Sequence, residues 1–200
     1  MSPEVQREYR GGIGKLLHLM RWSRPDIWNA VRECARRMTL SCETHRKAML
    51  RIMKYCRDTS TRGWILKPRR KWDGKTLDIE IELTGEADSN YATCTDTRRS
   101  VSGIVVKMED TVVAVKSGMQ KVVALSTTEA ETIAIVQCVQ ELLYIMKLIE
   151  SLKMKVRKPM IVYSDNKGAV DLINGISDDL SILYAGIKHL DRVKNEKTQQ

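Results

Sequence analysis

The feature that most constrains this chain is a change of hydrophobic period near residue 77. The stretch "LDIEIELTGEAD", residues 77–88, alternates apolar residues with acidic or polar ones. That is the two-residue period of a strand with one face in water. "SGIVVKM" and "TVVAVK" follow as two short strands, and "MEDT" between them reads as a hairpin turn. From about Ser126 to Leu152 the period becomes helical, with Glu131, Ile135, Cys138, Leu142, Ile145 and Ile149 on one stripe. "PMIVYSD" then reads as a buried strand, and "NKGAVDLIN" as a short helix stopping at Gly175. Three strands, a long helix, a strand and a helix predict an α/β (α+β) domain, with helices packed on a mixed sheet.

Upstream the period is helical throughout. Ile13, Leu16, Leu17 and Met20 share one face, Ser23 is placed to cap a following helix, and that helix puts Ile27, Val31, Cys34 and Met38 together. A third helix stacks Ala48, Met49, Ile52, Met53 and Cys56. The opposite surfaces are basic, with Arg36, Arg37, Arg46, Lys47, Arg51 and Lys54 the candidates for nucleic-acid phosphates. Residues 1–75 hold 19 Lys+Arg against 7 Asp+Glu, and residues 76–200 hold 15 against 18, so all of the net charge of +9 comes from the first third. Such asymmetry suits a polyanion-facing segment and equally a solubilising surface. "GWILKP" reads as a short strand, and the polar loop "PRRKWDGK" as the boundary between domains spanning 1–70 and 71–200.

The five cysteines show no CxxC spacing, which argues against a disulfide framework. Cys42 with His45, and Cys34 and Cys56 nearby, fit zinc-site spacings only loosely. No run approaches the roughly 18 apolar residues of a membrane span, and no signal-peptide pattern opens the chain. The expectation is an intracellular protein with no membrane partner.

The acids are the chemically suggestive residues. Asp88 and Asp165 each end a strand, and Glu131 opens the core stripe of the long helix. Each has an ordinary alternative. Aspartates at strand ends make turns and caps, Asp165 could cap the next helix, and both Ser126-x-x-Glu129 and Thr128-x-x-Glu131 have capping-box spacing. Glu129 is explained by the cap alone. Together, Asp88, Glu131 and Asp165 make an oxygen-ligand set suited to Mg²⁺.

Three blocks, "ADSNYATCTDTRRSVSG", "VALSTTEAETIA" and "VYSDNKGAV", resemble the signature blocks of the ribonuclease H domain in copia-type retrotransposon polyproteins. The upstream stretches "GIGKLLHLMRWSRPDIWNAVRECARRM" and "HRKAMLRIMKYCRDT" resemble the segment joining reverse transcriptase to that domain, so the resemblance runs from about residue 9 to 195. It implies a ribonuclease H-like fold, a mixed five-stranded sheet flanked by helices. It also implies Asp88, Glu131 and Asp165 as catalytic and metal-binding residues, with Mg²⁺ or Mn²⁺ as cofactor. The implied reaction is two-metal hydrolysis of the RNA strand of an RNA–DNA hybrid. The implied partners are that hybrid and the rest of a Pol polyprotein, in the cytoplasm or in retroelement particles.

Against the family pattern, Asn90 stands in place of a usual second aspartate. His189 and Asp191 in "KHLD" fall in a helix that precedes the family's last strand, and the chain ends at Gln200 before the further helix that bears a fourth acid. The expectation is a domain lacking its last strand and helix. A truncated remnant that binds nucleic acid without cutting it is the alternative.

Overall fold

The structure is a computed structural model that describes residues 2–67, 79–176 and 185–190. The chain divides into two compact units, Met1–Ile65 and Leu66–Gln200. The expected boundary loop at 68–75 and Asp191 lie outside the described residues.

The first unit is helical: α1 (Pro3–Trp22), a 3₁₀ turn (Pro25–Ile27), α2 (Trp28–Ala35) and α3 (Glu43–Asp58). Tyr9, Ile13, Leu16, Met20, Val31, Cys34, Met49 and Ile52 form its core. The apolar faces expected from the helical period are largely the buried ones, although Ala48 is exposed. The Tyr9 hydroxyl donates to the Cys34 carbonyl at 2.7 Å, tying α1 to α2. Ser23 closes the end of α1, its N–H donating to Leu19, and does not cap the next helix. Pro25 accounts for this, since it starts a tight turn directly after it. Of the stretch "GWILKP", expected to be a short strand, residues 63–67 form none and residue 68 lies outside the described residues.

In the second unit the strands are β1 (Glu80–Ile81), β2 (Leu83–Asn90), β3 (Val101–Met108), β4 (Thr111–Met119), β5 (Lys155–Val156), β6 (Met160–Ser164) and β7 (Ala185–His189). The helices are α4 (Thr127–Ser151) and α5 (Lys167–Ile176). Among the described residues the main sheet has five strands in the order β4-β3-β2-β6-β7, while β1 and β5 form a small parallel pair. β3 runs antiparallel to both β2 and β4, and β6 lies parallel to both β2 and β7. The sheet is therefore mixed and five-stranded, as the resemblance implies.

The β3–β4 hairpin turns at Glu109 and Asp110, with φ of 49° and 65°. Positive φ at both central residues matches the right-handed twist of the flanking strands. α4 lies across the sheet with Ala134, Ile135, Cys138, Leu142, Met146 and Ile149 in the core against Leu83, Ala87, Val106 and Val162. Met146 takes the fully buried place expected of Ile145, which packs at the edge. Gly85 makes this close approach possible, because a Cβ there would collide with the Cys138 sulfur and meet Leu142 Cδ1 at 3.2 Å. By length and composition α4 is apolar enough to cross a membrane, which corrects the expectation that no segment approaches a span. About a third of that apolar stretch is buried, against the sheet, while Val136, Tyr144 and Leu148 are exposed.

The helical reading of the last segment is corrected over residues 185–189. "AGIKH", read as weakly helical, forms β7 and joins the sheet, pairing Ala185 with Met160 through to His189 with Ser164. Strand formation here follows from the free edge of β6 rather than from local preference.

Candidate metal centre

Asp88, Glu131 and Asp165 converge in the sheet unit. One carboxylate oxygen from each lies within 4.8 Å of the other two. Each arrives by a different route. Asp88 is near the end of β2 and is exposed. Glu131 sits in the second turn of α4, just past a well-formed start. There Ser126 Oγ accepts the Glu129 N–H at 3.1 Å, and the Glu129 carboxylate accepts the Leu125 N–H at 2.7 Å. Glu129 is thus engaged as a cap, and Glu131 begins the buried face at 6% exposure.

Asp165 follows β6, where it could have capped α5. Asn166 does that instead, its Oδ1 accepting the Ala169 N–H at 3.0 Å. The Asp165 carboxylate is left to face the other acids.

Ser89 is a contributor that sequence reasoning did not single out. Its backbone N–H and its Oγ both donate to Glu131 Oε1, at 3.1 and 3.0 Å. A serine beside an aspartate carries no signal of such a role, which comes from the placement of α4 over β2. The second carboxylate oxygen, Oε2, is buried with no hydrogen-bond partner. Burial pushes the Glu131 carboxyl above its ordinary pKa, the Ser89 hydrogen bonds oppose this, and the Asp88 and Asp165 charges add to the rise.

A buried carboxylate oxygen with no donor, next to two more acids, is an arrangement that a hard cation would satisfy. All three donors are carboxylate oxygens, the chemistry that Mg²⁺, Mn²⁺ and Ca²⁺ prefer and that zinc or copper does not select. The residues present fit such a cation. Asp88, Glu131 and Asp165 are the residues that could hold it. Among the described residues no comparable group forms around the cysteines. Cys42 and His45 instead close the start of α3, with the Cys42 N–H donating to His45 Nδ1 at 3.1 Å.

The basic candidates all lie in the helical unit, and they divide. Arg36 pairs with Glu33 at 3.2 Å, and Arg46 lies between Glu8 at 3.6 Å and Glu43 at 3.5 Å. Lys47, Arg51 and Lys54 form an exposed row on α3 with no ion pair among the described residues, and Arg37 is exposed after α2.

Comparison with known proteins places these features in context. The chain is 32% identical over 183 residues to the retrovirus-related Pol polyproteins from transposons RE1 and RE2 of Arabidopsis thaliana, a match covering 92% of the chain. It spans 12% of the length of those polyproteins. It is also 32% identical over 137 residues to secreted RxLR effector protein 161 of Plasmopara viticola, covering 68% of the chain and 90% of that protein. No protein-family model matches. Among solved structures, LC11-RNase H1 in complex with an RNA/DNA hybrid is similar over 57% of this chain and 89% of its own, at 14% identity and a TM-score of 0.41. That likeness is too loose to argue from.

Proposed function

The chain belongs to the family of copia-type retrotransposon Pol polyproteins, and we propose that its sheet unit is the ribonuclease H of such a polyprotein, cutting the RNA strand of an RNA–DNA hybrid. The observation that carries the reading is the meeting of Asp88, Glu131 and Asp165, which lie 77 residues apart in sequence from first to last and come within 4.8 Å in space.

In this reading Asp88, Glu131 and Asp165 hold magnesium, with manganese able to replace it. Once bound, the metal supplies Lewis-acid stabilisation of the phosphate and a water acidic enough to act as nucleophile near neutral pH. The protein's own groups orient and exclude. Ser89 holds Glu131 by two hydrogen bonds to one oxygen and leaves the other without a hydrogen bond. The wall of α4 and β2 keeps water from the Glu131 side, while exposed Asp88 leaves the opposite side open to a nucleic-acid backbone. A metal held by Asp88, Glu131 and Asp165 would lower the pKa of its water, a chemistry that would not call for a general-base histidine. Asn166 caps α5, so the cap does not need the Asp165 side chain.

The helical unit contributes phosphate contacts through Lys47, Arg51 and Lys54, with Arg37 beside α2, and Arg36 and Arg46 partly occupied by glutamates. Such contacts position a duplex without reading its sequence. The rest of the polyprotein is the proposed partner, and the interior of a cell or a retroelement particle the proposed place of action.

The test is incubation of the chain with an RNA–DNA hybrid labelled on either strand. Cleavage of the RNA strand with Mg²⁺ or Mn²⁺, abolished by EDTA, is the expected result. A folded chain that binds hybrid and cuts neither strand would favour a binding-only remnant.

A further inference from the structure

The two carboxylate oxygens of Glu131 are unlike. Oε1 accepts both the Ser89 backbone N–H, at 3.1 Å, and the Ser89 hydroxyl, at 3.0 Å. Oε2 is buried and has no hydrogen-bond partner. A carboxylate oxygen offers about two lone-pair sites, so two donors fill Oε1 and leave Oε2 as the oxygen open to a cation. We propose that Ser89 is a positioning residue that limits Glu131 to one oxygen for the bound cation, and so biases the site towards Mg²⁺ and against the larger Ca²⁺. The inference rests on the metal-site reading above.

The fold explains how Ser89 comes to this place. Leu83, Gly85, Ala87 and Ser89 alternate onto one face of β2. α4 covers that face: Leu83 and Ala87 share a core with Cys138 and Leu142, and a Cβ on Gly85 would strike the Cys138 sulfur. Glu131 precedes Cys138 by about two turns on the same side of α4, which carries its carboxylate to the end of β2 where Ser89 stands. β6 pairs with β2 only from Thr84 to Glu86, so the Ser89 N–H lies beyond that ladder and turns to the carboxylate instead. The backbone bond alone would leave one lone pair of Oε1 open. The serine hydroxyl closes it.

The number of oxygens on offer matters differently to the two ions. Mg²⁺ demands near-ideal octahedral geometry with ligands at about 2.1 Å, whereas Ca²⁺ takes roughly six to eight oxygens and accepts a carboxylate through one or both. A glutamate held to one oxygen suits the first ion and denies the second an extra ligand. Groups that orient a metal ligand typically change metal affinity by roughly 10- to 100-fold when removed. Removing the hydroxyl while the N–H bond remains belongs at the lower end of that range.

The test uses the full chain and two variants, Ser89→Ala, which removes the hydroxyl, and Ser89→Thr, which keeps it. Mg²⁺ and Ca²⁺ binding are each read by calorimetry without nucleic acid, with folding checked by circular dichroism. The readout is the ratio of the two affinities, because a change that only loosens the fold weakens both divalent ions alike and cancels. The expected result is a roughly tenfold fall in the Mg²⁺-to-Ca²⁺ ratio for the Ala variant, and the wild-type ratio for the Thr variant. An unmoved ratio in the Ala variant would overturn the role of Ser89 and leave the metal site standing. A folded Thr variant with its ratio lowered tenfold would overturn it as well. No binding of either ion by the wild type would overturn the proposal together with the metal-site reading. Cleavage plays no part in this readout, so a chain that binds Mg²⁺ without cutting hybrid loses the hydrolase reading and still has Ser89 judged by the ratio.

Discussion

Arg24 in the helical unit and Glu131 in the sheet unit are equally buried, each at 6% exposure. Their surroundings are opposite. Arg24 meets Asp26 through two hydrogen bonds of 2.9 and 2.8 Å, donates to the Thr59 carbonyl and hydroxyl, and lies over the Tyr55 ring. Glu131 meets Ser89 through one oxygen, has the other bare, and faces two acids. A buried charge costs free energy unless it is paired and hydrogen-bonded. Arg24 is satisfied by the chain itself and needs no explanation beyond stability. Glu131 is satisfied only when something positive arrives, and an unmet electrostatic demand of this kind is what distinguishes a site from a structural ion pair.

Removing the partner of the satisfied charge should have the largest effect. Asp26→Ala removes the carboxylate from the Arg24 guanidinium and leaves it only Thr59 to donate to, and the helical unit should lose roughly 2 kcal/mol in urea unfolding. Adding Arg24→Met should restore much of that loss, since an apolar replacement leaves no uncompensated charge. A loss below about 1 kcal/mol for Asp26→Ala would break the comparison from its structural side.

Neutralising the unsatisfied charge should act in the opposite direction. The folded-state pKa of Glu131 is raised, so folding is opposed once the pH exceeds the unfolded-state value and the carboxyl must ionise in place. Below the ordinary carboxylate range both states are protonated and the penalty is absent. Glu131→Gln should therefore raise the metal-free Tm of the sheet unit near pH 7 by about 2 °C or more, with the gain fading as pH falls through that range. Saturating Mg²⁺ should erase the gain by stabilising the wild type alone. Destabilisation of the metal-free chain at pH 7 would mean that Glu131 is a structural group.

The smallest expected effects separate the basic residues. Lys47→Ala, Arg51→Ala and Lys54→Ala should change stability by less than about 0.5 kcal/mol. Each should lower the slope of hybrid affinity against salt by about 1 if it touches a phosphate. Arg36→Ala and Arg46→Ala, whose charges are already shared with glutamates, should change the slope less. Equal slopes for both groups would dissolve the distinction.

Much of this arrangement is legible in the sequence, for physical reasons. The alternation before Asp88 and the stripe that begins at Glu131 reflect burial on one face, and burial is what a hydrophobic period records. Ser126 announces the start of α4 because a cap needs a side-chain acceptor there, and Thr127 is indeed the first helical residue. What was illegible depends on tertiary pairing. "AGIKH" is a strand because β6 has a free edge, so the helical reading of His189 failed. Asp165 and Asn166 are adjacent and equally suited to capping, and only the way the chain leaves β6 decides between them. Ser89 has no local signal at all, since its partner lies 42 residues away.

The measurement that tests the central claim most directly compares wild type with Asp165→Asn in Mg²⁺-dependent cleavage of a labelled RNA–DNA hybrid, with folding checked by circular dichroism. Loss of a direct ligand should exceed the 100-fold upper range for groups acting behind one, so cleavage should fall by more than about 100-fold in a variant that remains folded. Undiminished cleavage in Asp165→Asn would contradict the three-carboxylate centre.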